Sequence, residues 1–262
     1  MDGLKHFRAQ AIIFDKDGTL IDFDAMWGGW VVYLAEQIMS VSGLNVRAAL
    51  CFAMGFDEKS RKVLPQGKLA SRPMSQLHQL TIGVVKSFGL SRVEAERIVE
   101  AAWCIPDPVS LAKPLTDLRT LFSNLHDHGI QIAIATADDR AATQAMIEAF
   151  DIEEFITTLV CGDEGIPSKP APDMVLTICE RLKLDPKNVM VIGDTASDLK
   201  MARTAGAGLA VGVLSGVSSA KDLIPFADAL IESIDELNDY VLVLDAAKSA
   251  RAPQGLDPDF AF

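Results

Sequence analysis

Two kinds of hydrophobic pattern follow each other in turn along the second half of this chain. From Gly129 onward, short apolar runs rich in β-branched residues alternate with segments whose apolar residues recur at helical spacing. The apolar runs are GIQIAIAT, FITTLVCGDE, NVMVIGD, GLAVGV and ALIESI, and the helical segments include DDRAATQAMIEAF, APDMVLTICERL and TASDLKMARTAG. Strands that alternate with helices imply a parallel sheet with right-handed crossovers. The pattern therefore predicts an α/β fold with a doubly wound parallel sheet.

The first half of the chain has a different pattern. The run AIIF, which begins at Ala11, indicates a buried strand that stops at turn residues. From roughly Asp24 to Pro108 the segments MWGGWVVYLAEQIMSVSG, MSQLHQLTIGVVKSFG and SRVEAERIVEAAW are helix-like, and no clear strand separates them. We therefore predict a helical insertion above the carboxyl end of the first strand. The expected divisions are a core of residues 1–22 and 111–246, a cap of 23–110 and a tail of 247–262.

The tail is expected to lack regular structure. It contains Pro and Gly and no periodicity, as in KSARAPQGLDPDFAF. We predict a mobile end or a clamp on a neighbouring subunit.

Composition and charge limit the classes of partner. The chain has 262 residues, of which 49% are hydrophobic and 23% charged, so it can bury a substantial core. Its formal net charge of −12 opposes attraction to nucleic acid or to an anionic membrane. An anionic substrate would therefore need a local positive patch or a metal ion.

Cysteine usage and the amino-terminal sequence bear on the compartment. The cysteines show no CxxC spacing, which favours buried reduced thiols over a zinc site or a disulfide framework: Cys51, Cys104, Cys161 and Cys179. The sequence MDGLKHFRAQ lacks the long apolar region of a signal peptide, and no later run approaches the ~20 residues of a membrane span. We expect a soluble, cytoplasmic protein.

Four short motifs carry the candidate chemistry. They are DKDGT (Asp15 to Thr19), IATAD with Thr136, SKPAPD with Lys169, and GDTASD (Gly193 to Asp198), and three of them stand directly at strand ends. Ligands of open α/β sheets bind outside the carboxyl ends of the strands, where these residues would meet. The carboxylates gathered there would repel one another unless cations intervened: Asp15, Asp17, Asp194 and Asp198. A hard cation such as Mg²⁺ suits them, and Lys169 adds a positive charge.

In this order the four motifs resemble the haloacid dehalogenase (HAD) superfamily, specifically its phosphatases with a helical cap after the first motif. The resemblance covers nearly the whole chain except the tail. It implies that Asp15 attacks phosphorus to form an aspartyl-phosphate. It also implies that Asp17 protonates the leaving oxygen and then takes a proton from the hydrolytic water.

The resemblance further implies a Mg²⁺ site and a phosphate site. The Asp15 side chain, the Asp17 backbone carbonyl and the Asp194 side chain would hold Mg²⁺, and Asp198 would support the metal waters or Lys169. Thr136, with Ala137 beside it, would bind the phosphoryl group, and Lys169 would neutralise its charge. Gly18 would let the backbone turn and bring amides toward the phosphate, while Thr19 orients the loop. Lys16 departs from the apolar residue common there in relatives, and we interpret it as a detail of the site wall.

The expected substrate is a small phosphorylated metabolite. Chain length, cap placement and the stretch VGVLSGVSSAKDL are most similar to phosphoglycolate phosphatase-type members. Two alternatives stay open: a sugar-phosphate mutase, which passes the phosphoryl group to a second hydroxyl, and a non-catalytic protein that binds a phosphate ligand. A haloacid dehalogenase proper and a phosphonate hydrolase are disfavoured because neither needs Asp17. A homodimer also stays open.

Substrate specificity is expected to lie in the cap. The segment DEKSRKVLPQGKLASR concentrates basic residues in an otherwise acidic chain: Lys59, Arg61, Lys62, Lys68 and Arg72. A solvated basic face is the ordinary interpretation of such a segment. The loop from Pro65 to Lys68 interrupts the helical pattern, however, so it could point into the cleft. We therefore predict Lys68 as a substrate-binding residue that contacts an anionic leaving group.

Overall fold

A computed structural model describes residues 4, 6–64, 67–72, 74–105 and 107–249. The strands are β1 (Ala11–Phe14), β2 (Phe56–Asp57), β3 (Lys62–Val63), β4 (Gln131–Ala135), β5 (Ile156–Val160), β6 (Val189–Gly193), β7 (Leu209–Val213) and β8 (Ala229–Ile231). Six of them form one parallel sheet in the order β5-β4-β1-β6-β7-β8. The predicted doubly wound sheet is confirmed.

The strand order reverses at β1, and this places the site. From β1 the chain builds β4 and β5 on one side and β6, β7 and β8 on the other. Phe14 lies in register with Ile134 of β4 and Ile192 of β6, so the three strands end at the same height. A crevice opens at such a switch point because the loops on either side diverge.

Among the described residues, five helices between β1 and Ala102 build the cap. After a π-helical turn (Asp24–Gly28) they are α1 (Gly29–Ser42), α2 (Arg47–Met54), α3 (Lys68–Ser71), α4 (Met74–Lys86) and α5 (Arg92–Ala102). Helix α5 begins at a capping box, in which Ser91 and Glu94 satisfy each other's backbone amides. The cap has its own apolar core, with Trp30, Leu50 and Val99 fully buried. It therefore packs as a separate layer above the sheet.

The expectation that no strand interrupts the cap was wrong. Strands β2 and β3 form a short antiparallel hairpin in which Phe56 pairs with Val63 and Asp57 with Lys62. Each strand has two residues. A pattern of period two needs more residues than that to be visible in a sequence.

The remaining helices cover both faces of the sheet. They are α6 (Leu118–Asp127), α7 (Arg140–Ala149), α8 (Asp173–Leu182), α9 (Ala196–Ala205), α10 (Ala220–Leu223) and α11 (Leu237–Ser249). Side chains of β1 alternate between the faces: Ile12 and Phe14 pack with α6, α7 and α11, and Ala11 and Ile13 pack with α8 and α9. Because both faces are covered, the strands are apolar throughout.

Helix α11 changes the start of the predicted tail. It continues to Ser249, so residues 247–249 are helical and do not begin an irregular segment. Residues 250–262, to which the rest of that prediction applies, lie outside the described residues. Within the part of the chain that the structure describes, the helices are too short or too polar to cross a membrane.

Candidate active site

The DKDGT turn follows β1 and is closed by its own backbone. The amides of Leu20 and Ile21 donate to the carbonyl of Lys16 over 2.8 and 3.1 Å. Gly18 has a φ of +84°, and a Cβ there would lie 2.5 Å from Asp194 Oδ2. Only glycine therefore fits between the turn and the fourth motif.

The structure differs from the expectation that the turn at Gly18 brings amides toward the phosphate. The Gly18 amide donates to the Ile21 carbonyl over 2.8 Å, and the Thr19 amide donates to the Lys16 carbonyl over 3.3 Å. Both amides are thus used inside the turn and are not offered to a phosphate. Thr19 is fully buried, and neither residue lines the cavity at the carboxyl end of the sheet. Their contribution is to shape the turn.

Three of the predicted carboxylates come together at the carboxyl ends of β1 and β6. One oxygen from each of Asp15, Asp194 and Asp198 lies within 4.8 Å of the others. The Lys169 ammonium group contacts Asp15 Oδ1 and lies 2.6 Å from Asp198 Oδ1. Residues of the third and fourth motifs, which lie more than 150 positions from Asp15 in the sequence, thus meet Asp15 in one charged cluster.

Asp198 has two roles in this arrangement. Its Oδ2 accepts a hydrogen bond from the Thr195 amide over 3.0 Å, which caps the start of α9. Its Oδ1 faces Lys169. Asp198 can therefore cap the helix with one oxygen and take part in the charged cluster with the other.

The loop after β7 supports the cluster from behind. The Val217 amide donates to Asp194 Oδ2 over 2.9 Å, and the Ser215 hydroxyl donates to the Gly18 carbonyl over 2.8 Å. A Cβ on Gly216 would lie 2.0 Å from Asp194 Oδ2, so the backbone must approach closely there. Sequence reasoning did not assign this support to the loop, although the Ser-Gly pair after an apolar strand marks a turn.

Burial and mutual repulsion shift the titration of the cluster. Burial raises the pKa of Asp15 to about 7, against the opposing attraction of Lys169. Burial, followed by repulsion from Asp15 and Asp198, also raises the pKa of Asp194 well above its usual range. Burial by itself would lower the pKa of Lys169, but Asp15 and Asp198 outweigh it and raise that pKa. The cluster therefore favours an added cation.

The residues present fit a hard divalent cation. Asp194 Oδ1 is buried and has no hydrogen-bond partner among the described residues. It belongs to the same group of converging carboxylate oxygens. Carboxylate oxygens are the ligands that Mg²⁺ prefers, and a buried unpaired one is costly without a partner.

Asp17 lies beside the cluster and pairs with a buried lysine. Lys16 Nζ is 2.7 Å from Asp17 Oδ1 and 2.8 Å from Asp138 Oδ2. Burial raises the pKa of the Asp17 carboxyl group, and the charge of Lys16 opposes that shift. Lys16 does not line the cavity, so our interpretation of it as part of the site wall was wrong. Asp138 was not among the predicted site residues.

Thr136 and Ala137 follow β4 and line the same cavity. The Thr136 hydroxyl oxygen accepts a hydrogen bond from the Asp138 amide over 3.1 Å. Its own proton can therefore be donated into the cavity. The structure thus brings Thr136, Lys169 and the aspartates of the first and fourth motifs to one place.

The cavity between core and cap has a volume of about 940 Å³. Its core side carries the charged residues, and its cap side is mostly apolar: Phe23, Met26, Trp27, Leu69, Ala70, Met74 and Ile105. Trp27 also packs edge-on against Trp30, with ring centroids 6.0 Å apart. The cap thus gives the cavity an apolar wall.

The basic residues of the cap occupy different places. Lys68 lines a separate cavity of about 420 Å³ with Gln76 and Gln79, so the structure does not place it in the catalytic cavity as predicted. Arg72 lines both cavities. Lys62 pairs with Asp24 over 2.7 Å, and the exposed residues Lys59 and Arg61 line neither cavity. The cationic group of the cap that reaches the catalytic cavity is therefore Arg72.

Comparison with known proteins identifies the family of the chain. A family model described as haloacid dehalogenase-like hydrolase matches residues 9–206. The N-acetylmuramic acid 6-phosphate phosphatase of Pseudomonas aeruginosa is 26% identical over 78% of this chain and 81% of its own length. The phosphorylated carbohydrates phosphatase of Thermotoga maritima is 24% identical over 87% of this chain and 97% of its own.

A solved structure supports the same fold. A protein of Haemophilus somnus 129PT, described as a predicted phosphoglycolate phosphatase, superposes with a TM-score of 0.64 at 16% identity. The superposition covers 89% of this chain and 98% of that one. Together with the family match, the fold shows that the chain belongs to the haloacid dehalogenase-like hydrolase family.

Proposed function

We propose that this protein is a Mg²⁺-dependent phosphatase that hydrolyses a small-molecule phosphate monoester through an aspartyl-phosphate on Asp15. One observation carries the proposal. Asp15, Asp194, Asp198 and Lys169 form a single charged cluster at the floor of a cavity that Asp17 and Thr136 also line. The residues to which we assign the roles of nucleophile, acid/base group and phosphate-binding groups thus lie in one site, which supports the proposal.

Asp15 and Asp194 would hold Mg²⁺ through their side chains, and Asp17 would add its backbone carbonyl. Asp198, whose Oδ1 already pairs with Lys169, would support the metal waters. When bound, Mg²⁺ supplies positive charge that offsets the charge of the phosphoryl oxygens and of the carboxylates around it.

The proposed reaction has two displacements at phosphorus. In the first, a carboxylate oxygen of Asp15 forms a bond to phosphorus while the bond to the leaving oxygen breaks, and Asp17 gives that oxygen its proton. In the second, Asp17 takes a proton from a water molecule whose oxygen attacks phosphorus, which releases inorganic phosphate and restores Asp15. Thr136 donates a hydrogen bond to the phosphoryl group, and Lys169 holds Asp15 and offsets negative charge.

The cavity favours a leaving group of some size. A volume of about 940 Å³ exceeds what a two-carbon acid such as phosphoglycolate fills, and it lies in the usual range of roughly 300–1,000 Å³ for small-molecule pockets. The relatives that match most of the chain are named for phosphorylated carbohydrates and an amino-sugar phosphate. We therefore favour a sugar-sized phosphate monoester over phosphoglycolate itself.

Arg72 would contribute specificity in place of Lys68. Its Nη1 donates to Gln76 Oε1 over a long 3.3 Å, and no carboxylate of the described residues pairs with it. Its charge is thus available to a carboxylate or a second phosphate on the leaving group.

Phosphate release from a substrate panel tests the proposal. Phosphoglycolate, sugar 6-phosphates, a sugar 1-phosphate and p-nitrophenyl phosphate are each incubated with Mg²⁺ and with EDTA. We expect Mg²⁺-dependent release from at least one of them, with EDTA abolishing it. No release from any of them, or release that EDTA leaves unchanged, would contradict the proposal. Isomerised sugar phosphate without net phosphate release would indicate the mutase alternative.

A further inference from the structure

Lys16 is a buried cation that the proposed reaction does not use. Its side chain is 2% exposed, and its ammonium group lies between Asp17 Oδ1 and Asp138 Oδ2 at 2.7 and 2.8 Å. A lysine is rarely buried unless its charge is paired, because removing the ammonium group from water is costly. Here it has two carboxylate partners, contributed by two different loops.

Asp138 is held firmly by its own loop. Its amide donates to the Thr136 hydroxyl over 3.1 Å, and its carbonyl accepts a hydrogen bond from the Gly162 amide over 2.8 Å. The loop that presents Thr136 therefore also fixes the second partner of Lys16. Lys16 joins this loop to the DKDGT turn.

The contact with Lys16 restricts Asp17. An aspartate side chain at a turn would otherwise rotate among several positions, and each position lost before reaction lowers the barrier. Lys16 holds Oδ1, and Oδ2 makes no hydrogen bond to the described residues. Oδ2 is therefore the oxygen available to exchange a proton with the substrate.

We propose that Lys16, anchored by Asp138, is a positioning residue that orients the Asp17 carboxyl group toward the leaving oxygen. The inference rests on the acid/base role that the proposed function gives Asp17. Lys16 itself does not line the cavity, whereas its partners Asp17 and Asp138 both do, so its effect on the reaction must pass through these two carboxylates.

Leaving-group dependence separates this role from a purely structural one. An alkyl phosphate needs a proton on its leaving oxygen, whereas p-nitrophenolate leaves readily without one. A well-placed general acid contributes roughly 10²–10⁴-fold. We therefore expect Lys16→Met to lower kcat/KM for an alkyl phosphate by about 10–100-fold, and to lower that for p-nitrophenyl phosphate far less. KM for the alkyl phosphate should change little.

Three further variants serve as comparisons. Asp138→Asn should lower kcat/KM for the alkyl phosphate less than Lys16→Met does, because Lys16 keeps one of its partners. It too should affect p-nitrophenyl phosphate far less than the alkyl phosphate. The double variant Lys16→Met/Asp138→Asn should have a kcat/KM for the alkyl phosphate no lower than that of Lys16→Met alone. Lys62→Met, which removes a surface ion pair with Asp24, should leave the ratio of the two substrates unchanged. Melting temperatures of all variants ensure that folded protein is compared.

The outcomes are distinguishable from failure of the proposed function. If the wild type shows no Mg²⁺-dependent activity, the proposed function fails. The positioning role is overturned by the following pair of results. Asp17→Asn lowers kcat/KM for the alkyl phosphate far more than for p-nitrophenyl phosphate, whereas Lys16→Met lowers kcat/KM for both substrates equally or for neither. Should Lys16→Met not fold, Asp138→Asn decides, because the Asp138 side chain is 24% exposed and its replacement keeps the same shape. Equal effects on both substrates would then overturn the proposal.

Discussion

Asp15 has to satisfy two conflicting conditions. In the proposed reaction it must be ionised to attack phosphorus, yet burial raises its pKa to about 7. Lys169 favours the ionised form, and so would a divalent cation at the neighbouring carboxylates. The negative charge of the carboxylates would therefore be offset only when a cation is bound beside them.

This conflict predicts how the metal-free protein responds to pH. The folded pKa of Asp15 is about 7 and its ordinary value is 3.8, so between these values the unfolded chain releases a proton that the folded chain retains. The contribution of Asp15 to the free energy of unfolding is therefore most favourable below about pH 4, and it is lost as the pH rises from there through 7. With EDTA present, Asp15→Asn should raise the melting temperature at pH 8 relative to wild type, and should raise it less at pH 5. Thermal scans at both values check this, and a gain that is equal or larger at pH 5 would contradict it.

Asp17 is expected to act in both displacements. Asp17→Asn keeps the size of the side chain and removes the exchangeable proton, so both formation and hydrolysis of the aspartyl-phosphate should slow by roughly 10²–10⁴-fold. Rapid-quench kinetics with an alkyl phosphate resolve the two steps. The acid/base assignment would be rejected by rates for both steps within a factor of two of wild type.

At this scale the sequence was informative where a residue stands next to a strand end. Asp15, Thr136 and Asp194 directly follow or nearly follow buried strands, so parallel topology alone predicts that they meet. The partnership of Lys16 with Asp138 could not be predicted in the same way. It depends on the direction of a side chain across two loops, which spacing along the chain does not determine.

Among the elements, the cap shows what a hydrophobic pattern can and cannot predict. The long helices α1, α4 and α5 have clear apolar periodicity and were predicted. The hairpin β2–β3 was not, because two residues per strand carry no periodic signal. Lys68 was preferred to Arg72 for a related reason: α3 has four residues, too few for a hydrophobic pattern to show whether Lys68, its first residue, or Arg72, just after its end, reaches the cavity.

Arg72 and Lys68 make a matched pair for testing specificity. Arg72→Ala should lower kcat/KM for a substrate with an anionic leaving group by about 1.5–3 kcal/mol, the range of a charge-assisted hydrogen bond. Lys68→Ala removes a cation from the neighbouring cavity and should have little effect. Steady-state kinetics with a sugar phosphate that carries a carboxylate and with p-nitrophenyl phosphate measure both.

For p-nitrophenyl phosphate, whose leaving group carries no carboxylate or phosphate, Arg72→Ala should change the rate far less. Equal losses on the two substrates would remove Arg72 from the specificity site. A selective loss in Lys68→Ala would restore the prediction made from the sequence.

On the scale of the whole molecule, an insertion at one point organises the site. The chain leaves the sheet just after the DKDGT turn, builds the cap and returns before α6, so the cap lies over the carboxyl ends of β1, β4 and β6. The net charge of −12 makes the local placement of cations decisive. In the proposed site an anionic substrate would meet Lys169 on the core side and Arg72 on the cap side, and a metal ion would offset the remaining negative charge.

The central claim is that the phosphoryl group passes through Asp15. The most direct test is a rapid-quench experiment. Excess enzyme is mixed with Mg²⁺ and a phosphate monoester that it hydrolyses, the reaction is stopped in acid after milliseconds, and the phosphorylated peptide is identified by mass spectrometry. We predict a phosphoryl group on Asp15 that forms at the rate of substrate loss and decays at the rate of phosphate release. The Asp15→Asn variant should show neither this phosphoryl group nor turnover. A phosphoryl group on a different residue, or turnover by Asp15→Asn at the wild-type rate, would contradict the mechanism.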